Sequence, residues 1–261
     1  MNNREHCWSL TALWAAVMAA VCAGASDRVQ AATDRYERAV AHAGRAASDL
    51  KRDGLDHPAG LLRLTGIGPG MRVADFLAGD GYYSELASYL VGPGGQVLMI
   101  NNGAFEKWSA DGLLKRQIGQ RLPNVEHRVV ELGQMHLPAA SLDAALLIKV
   151  YHDLYWVDAT KEWPAIDTAT VLDDIARAIK PGGVLLLVDH SAIAGTGKGD
   201  AGRLHRIDEA YARADFATRG FSEIAHSDLL RRADDKRDQI SYQEPMLGKT
   251  DRFVLVFRKR R

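Results

Sequence analysis

At 261 residues, 47% hydrophobic and 25% charged, the chain is long enough to bury one large core. Its 33 basic residues balance 33 acidic ones, so no bulk field draws it to nucleic acid or to an anionic membrane. Its only cysteines are Cys7 and Cys22, which excludes thiol catalysis and thiolate metal sites from the rest of the chain.

Residues 1–31 read as an export signal. Arg4 precedes the apolar run Leu10–Ala25, and two small-residue sites follow, Ala23-Gly24-Ala25 and Val29-Gln30-Ala31. Cleavage is expected after Ala31, which puts the mature protein outside the cytoplasm, in a bacterial periplasm. An uncleaved anchor is the rival reading, but the run is about sixteen residues, short of the roughly 20 that a span needs. No stable membrane association is expected once the signal is removed. Next come charged segments with apolar residues at helical spacing, over 34–53 with Gly54 as the stop, then from His57-Pro58 to Leu64. They predict a helical extension over 32–65 that covers the sheet of a domain spanning 66–261.

Met71–Asn102 organises the rest of the chain. A strand over Arg72–Asp75 runs into the turn Ala78-Gly79-Asp80-Gly81, a helix covers Tyr82–Leu90, and Gln96–Ile100 is a second strand. This is one βαβ unit, and its right-handed crossover leaves the glycine turn at the carboxyl edge of the sheet. Residues 104–122 carry helical signals interrupted at Asp111-Gly112. His127–Val130 is a third strand, and the nearly unbroken apolar run Asp143–Val150 is a fourth, buried on both faces. A helix over 168–179, a strand over 184–188, a helix over 204–219 and strands over 221–225 and 252–257 complete the chain. The alternation predicts an α/β fold, doubly wound on a mostly parallel sheet.

Three stretches taken together resemble the class I S-adenosylmethionine-dependent methyltransferases. They are Val73–Gly81 (VADFLAGDG), Asp143–Tyr151, and Ile179–Leu185 (IKPGGVL). The signal, YHDLYW, VDH, LHRIDE and GKTDRFVL more narrowly resemble an exported bacterial subgroup of predicted methyltransferases. The resemblance implies a seven-stranded sheet with its last strand antiparallel. It also implies S-adenosylmethionine as cofactor, held by Asp75, Gly79, Gly81, Tyr82 and Asn101, and a small molecule as methyl acceptor. Two positions depart from the family pattern. Leu77 stands for a loop glycine, and Asn101 stands for the acid that usually holds the ribose hydroxyls. An amide lacks the charge-assisted strength of a carboxylate there.

Polar residues gather after the fourth and fifth strands. His152 and Asp153 follow one, Asp189 and His190 the other, and His205, Arg206, Asp208 and Glu209 open the next helix. In a doubly wound sheet these places share the crevice of the glycine turn. The expected catalytic residues are His152, Asp189 and His190, with a neutral His152 as the base toward a hydroxyl or amine and Asp189 or His190 fixing its tautomer. His152→Ala is then expected to cost turnover while leaving stability nearly intact. Tyr151, Tyr155 and His205 are the expected substrate contacts. The plainer alternatives are that Asp189 and His190 cap a loop, that Arg206 and Glu209 form a helix-surface pair, and that Tyr155 and Trp156 only pack. A metal site from His152, Asp189, His190 and His205 has suitable donors, but no short ligand pair supports it and no metal is assigned. Two functional alternatives also stay open: an exported binding protein that has lost the cofactor, and a metal-dependent hydrolase.

Overall fold

The computed structural model describes residues 35–261; the export signal expected over 1–31 lies outside the described residues. Seven strands form one sheet in the order β3-β2-β1-β4-β5-β7-β6. They are β1 (Arg72–Phe76), β2 (Gln96–Asn101), β3 (Val125–Val129), β4 (Leu142–Ile148), β5 (Ile179–His190), β6 (Phe221–Ser227) and β7 (Arg252–Lys259). β7 runs antiparallel to both its neighbours, and the pairs among β1 to β5 are parallel. The α/β architecture and the antiparallel last strand agree with the sequence reading.

The sheet carries an apolar core on each face because its strands alternate between two fully buried sides. Ala74, Leu98, Ala145, Leu185 and Leu255 point to one side, under α8 (Thr168–Ala178) and α10 (Glu209–Thr218). Val73, Val97, Leu146, Leu186 and Val256 point to the other, under α1 (Arg35–Val40), α3 (Pro58–Thr65) and α4 (Tyr82–Val91). α1 and α3 cover that face through Tyr36, Ala39, Leu61 and Leu62. Between them α2 (Ala47–Asp56) is polar where it is buried, at Asp49 and Asp56.

Several boundaries differ from expectation. The helix expected over 34–53 is two, broken by the turn at 41–46. Gly54 lies inside α2, which ends at Asp56 because His57 turns left-handed, φ 44°. Residues 104–122 form α5 (Gly103–Trp108), α6 (Ala110–Arg116) and α7 (Ile118–Arg121), with breaks at Ser109 and Gln117. Gly112 is not a breaker: a Cβ there would come within 2.6 Å of the Asp80 Cβ, so the glycine lets α6 press on the loop after β1. The helix expected over 204–219 is a short α9 (Ala201–Leu204) and α10. His205 between them is left-handed, φ 49°, and the Asp208 side chain caps α10 by accepting from the Ala210 N–H at 2.9 Å. Among the described residues no helix is long and apolar enough to cross a membrane.

Candidate active site

β4 and β5 end side by side, with Ile148 opposite Val188. Lys149, φ 63°, turns the chain out of β4, and a 3₁₀ turn over His152–Tyr155 comes next. That turn seats His152 on the Asp189 carboxylate at the end of β5. The His152 main-chain N–H donates to Oδ2 at 2.8 Å, and Nδ1 lies 2.7 Å from Oδ1. One carboxylate therefore fixes both the backbone and the ring. An extended chain would have sent Asp153 to the opposite side. The 3₁₀ turn instead keeps it beside His152, where its Oδ1 lies 3.2 Å from His152 Nε2 and 3.2 Å from His205 Nδ1. Trp163 Nε1 holds this turn by donating to the Asp153 carbonyl at 2.9 Å. The His152 ring stands 5.2 Å from His205 and 5.7 Å from His190, whose Nδ1 meets Thr250 Oγ1 at 2.7 Å.

The electrostatics reassign the expected base. Burial pushes the His152 imidazolium down, but Asp153 and Asp189 on its two nitrogens outweigh it and raise the pKa to about 10. At neutral pH His152 is thus a cation donating from both nitrogens, not the neutral base expected from sequence. The neutral imidazole is His190, held well below its ordinary value by burial and then by the charge on His152. Burial, then Arg52, lowers Lys149 to about 8 against the opposing pull of Asp56.

These residues open into a pocket of about 420 Å³. His152, Asp153, His190, His205, Lys149, Lys161 and Ser241 supply its polar lining, and Phe105, Trp108, Trp156 and Tyr242 its aromatic walls. His205, an expected substrate contact, is in this pocket; Tyr151 and Tyr155 are not. Both tyrosine hydroxyls donate to Asp215, at 2.6 and 3.1 Å, because the 3₁₀ turn sends them toward α10. Trp156 does line the pocket. Lys149, Phe105, Trp108 and Tyr242 went unnoticed in the sequence. The i,i+3 aromatic pair Phe105 and Trp108 was a usable signal, whereas Tyr242 arrives on a long loop and carried none. Arg206 is no surface partner of Glu209: it is fully buried, bonded to Asp235 at 2.8 and 3.1 Å. Glu209 pairs with Arg213 and Arg231.

The five expected cofactor residues lie together around the glycine loop, but none lines this pocket. Asn101 is fully buried; its amide accepts from the Gly79 N–H and donates to the Gly79 carbonyl, both at 2.9 Å. Arg116 Nε donates to the Asp80 carbonyl at 2.6 Å, and Nη2 to its carboxylate at 3.1 Å. A Cβ on Gly79 would touch Ser109 Oγ at 3.5 Å, and one on Gly81 would strike Ile118 at 2.6 Å. Tyr82 faces away, donating to Asp53 at 2.5 Å beneath the Arg52 guanidinium. Asp75 accepts from Ser84 Oγ at 2.7 Å, and burial pushes its carboxyl up to about 7 against that bond. Leu77 takes the left-handed conformation, φ 51°, that a glycine would adopt without strain.

No protein-family model matches the sequence, and no curated protein matches it. Solved structures do. A SAM-dependent methyltransferase from Aquifex aeolicus is 20% identical with a TM-score of 0.52, over 80% of this chain and 97% of that one. The [4+2]-cyclase SpnF is 16% identical with a TM-score of 0.55, over 83% and 85%. An S-adenosylmethionine-dependent methyltransferase from Mesorhizobium loti is 15% identical with a TM-score of 0.53, over 79% and 100%. The likeness is one of fold. At the glycine loop Asn101 takes the Gly79 amide and carbonyl, Ser109, Gly112 and Ile118 pack against the turn, and β2 ends on an amide where a carboxylate was expected.

Proposed function

We propose that this protein is an enzyme acting on a small molecule in the His152 pocket. The observation that carries the reading is the convergence of β4, β5 and the His205 turn on one aromatic-walled pocket at the carboxyl edge, where doubly wound sheets place their ligands. In it His190 is the proton acceptor. With Nδ1–H donated to Thr250 Oγ1, its Nε2 keeps the lone pair that a substrate hydroxyl or amine needs. The His152 cation and Lys149 supply positive charge for an anion developing on that substrate. Trp108, Trp156 and Tyr242 stack on the substrate and exclude water.

Methyl transfer from S-adenosylmethionine is the reaction supported by the fold's likeness to methyltransferases, and it is our first reading. The closed glycine loop favours a second, in which the fold is kept and the cofactor lost. SpnF, one of the similar structures, is a cyclase by name, so the fold itself does not dictate the reaction. Calorimetry with S-adenosylmethionine and its demethylated product separates the two. Saturable heat lost on Gly79→Val is expected under methyl transfer; no heat at millimolar ligand would leave only the second. We also propose export to a periplasm, from the apolar run Leu10–Ala25. N-terminal sequencing of protein recovered from cells checks it, and an intact Met1 in the cytoplasmic fraction contradicts it.

A further inference from the structure

We propose that His152, Asp153 and His205 bind one divalent transition-metal ion, of which zinc is the representative. Their donor atoms all lie within 4.8 Å of one another, and all three residues are buried. Both histidine nitrogens, His152 Nε2 and His205 Nδ1, stand 3.2 Å from the same oxygen, Asp153 Oδ1. Ligands held at about 2.0–2.1 Å from a tetrahedral ion are separated by about 3.3 Å. Two edges of the ligand triangle therefore already have the required length. The third edge, between the two nitrogens, lies within 4.8 Å and shortens when the ion binds.

The surroundings are those of a metal centre. Asp189 bonds Nδ1 of His152, and the ion takes the place of the proton that Nε2 shares with Asp153 in the metal-free protein, so binding releases that proton. This carboxylate–histidine relay orients a ligand and raises its basicity. Asp153 is positioned by its own backbone, through the bond from Trp163 to its carbonyl. The three protein ligands border the pocket, so the fourth position is open to water or to a substrate atom. Three protein ligands and one open position mark a catalytic centre, whereas a structural ion would be closed off by four. Two imidazoles and one carboxylate favour zinc or iron(II) over calcium and magnesium, which take oxygen ligands. The set differs from the one considered on sequence. Asp189 spends both oxygens on His152, and His190 is turned to Thr250, while Asp153 supplies the missing oxygen. The proposal stands whether or not S-adenosylmethionine binds.

Metal-stripped protein titrated with zinc against a chromophoric chelator tests it. One ion per chain is expected, with micromolar or tighter affinity, and cobalt(II) in its place should give the visible bands of a four- or five-coordinate ion. His205→Ala and Asp153→Asn should each weaken binding about a hundredfold or more, and Asp189→Asn about ten- to a hundredfold. His226→Ala, an exposed histidine on β6, should change nothing. Substoichiometric binding, or binding that survives both His205→Ala and Asp153→Asn, overturns the site. If His205→Ala fails to fold, Asp153→Asn, which keeps the side-chain shape, decides alone.

Discussion

His152→Ala should lower the unfolding free energy of the metal-free protein by about 3–5 kcal/mol, the cost of removing one partner from a buried ion pair. Asp189 is fully buried and Asp153 nearly so, and His152 is the cation shared by both. Alanine leaves two carboxylates in the interior with His205 as their only remaining imidazole contact through Asp153. It also empties the ring's volume between the ends of β4 and β5. Urea unfolding of the variant measures the loss. A triple variant, His152→Ala with Asp153→Asn and Asp189→Asn, should recover much of it, because it removes the stranded charges and keeps the side-chain shapes. If His152→Ala unfolds within about 1 kcal/mol of the parent, His152 does not hold this charge arrangement and the sequence-based expectation of an unaffected fold is right after all.

Asp56→Ala should cost a similar amount, about 3–5 kcal/mol, here by removing the anion of the arrangement where His152→Ala removes the cation. Asp56 ends α2 and accepts from Lys149 Nζ at 3.0 Å and Arg52 Nε at 2.8 Å, and it is ion-paired with Arg252 at the start of β7. The one carboxylate thus joins the N-terminal helices to the exit of β4 and to the last strand. Removing it strands Arg252, which is itself buried, beside Lys149. Burial pushes the Asp56 carboxyl up, yet Lys149, Arg52 and Arg252 hold it far below the ordinary carboxylate range. An unfolded aspartate titrates near about 3.9, so the stabilisation is whole above that pH and is lost as pH falls through the lower folded value. The parent should therefore lose more stability on acidification than Asp56→Ala does. Parallel acid titration curves for the two proteins would contradict the assignment.

The parts of this fold that were legible in the sequence are those fixed by local pattern. Asp143–Val150 reads as a buried strand because nothing polar interrupts it until Lys149, and the glycines at 79 and 81 mark a turn that the backbone does make at positive φ. Helix ends were less legible. Residues 41–47 are alanine-rich, but Gly44 weakens helix there, and Arg45 fixes the turn through bonds back to the Val40 carbonyl at 2.6 Å and to Asp53. At the site, the meeting of His152 with Asp189 followed from strand order alone. The place of Asp153 did not, because it depends on a single 3₁₀ turn whose sequence, HDLY, is equally at home in an extended loop. The partners of Asn101 and Tyr82 are distant in sequence, and a motif match cannot register that a side chain is already spoken for.

β7 lies inside the sheet, between β5 and β6, although it is the last strand along the chain. During synthesis β5 and β6 emerge with no partner between them, and six of the seven strands can exist without the sheet closing. Only when residues 252–259 leave the ribosome does Val184–His190 gain its second edge and Asp56 its pairing with Arg252. Joining β6 to the rest of the sheet therefore waits on residues 252–259, and long-range pairing of this kind is slow. Under the export proposed above, such a delay would keep the chain passable through a secretory channel, and truncation before Arg252 should yield a product that proteases clear.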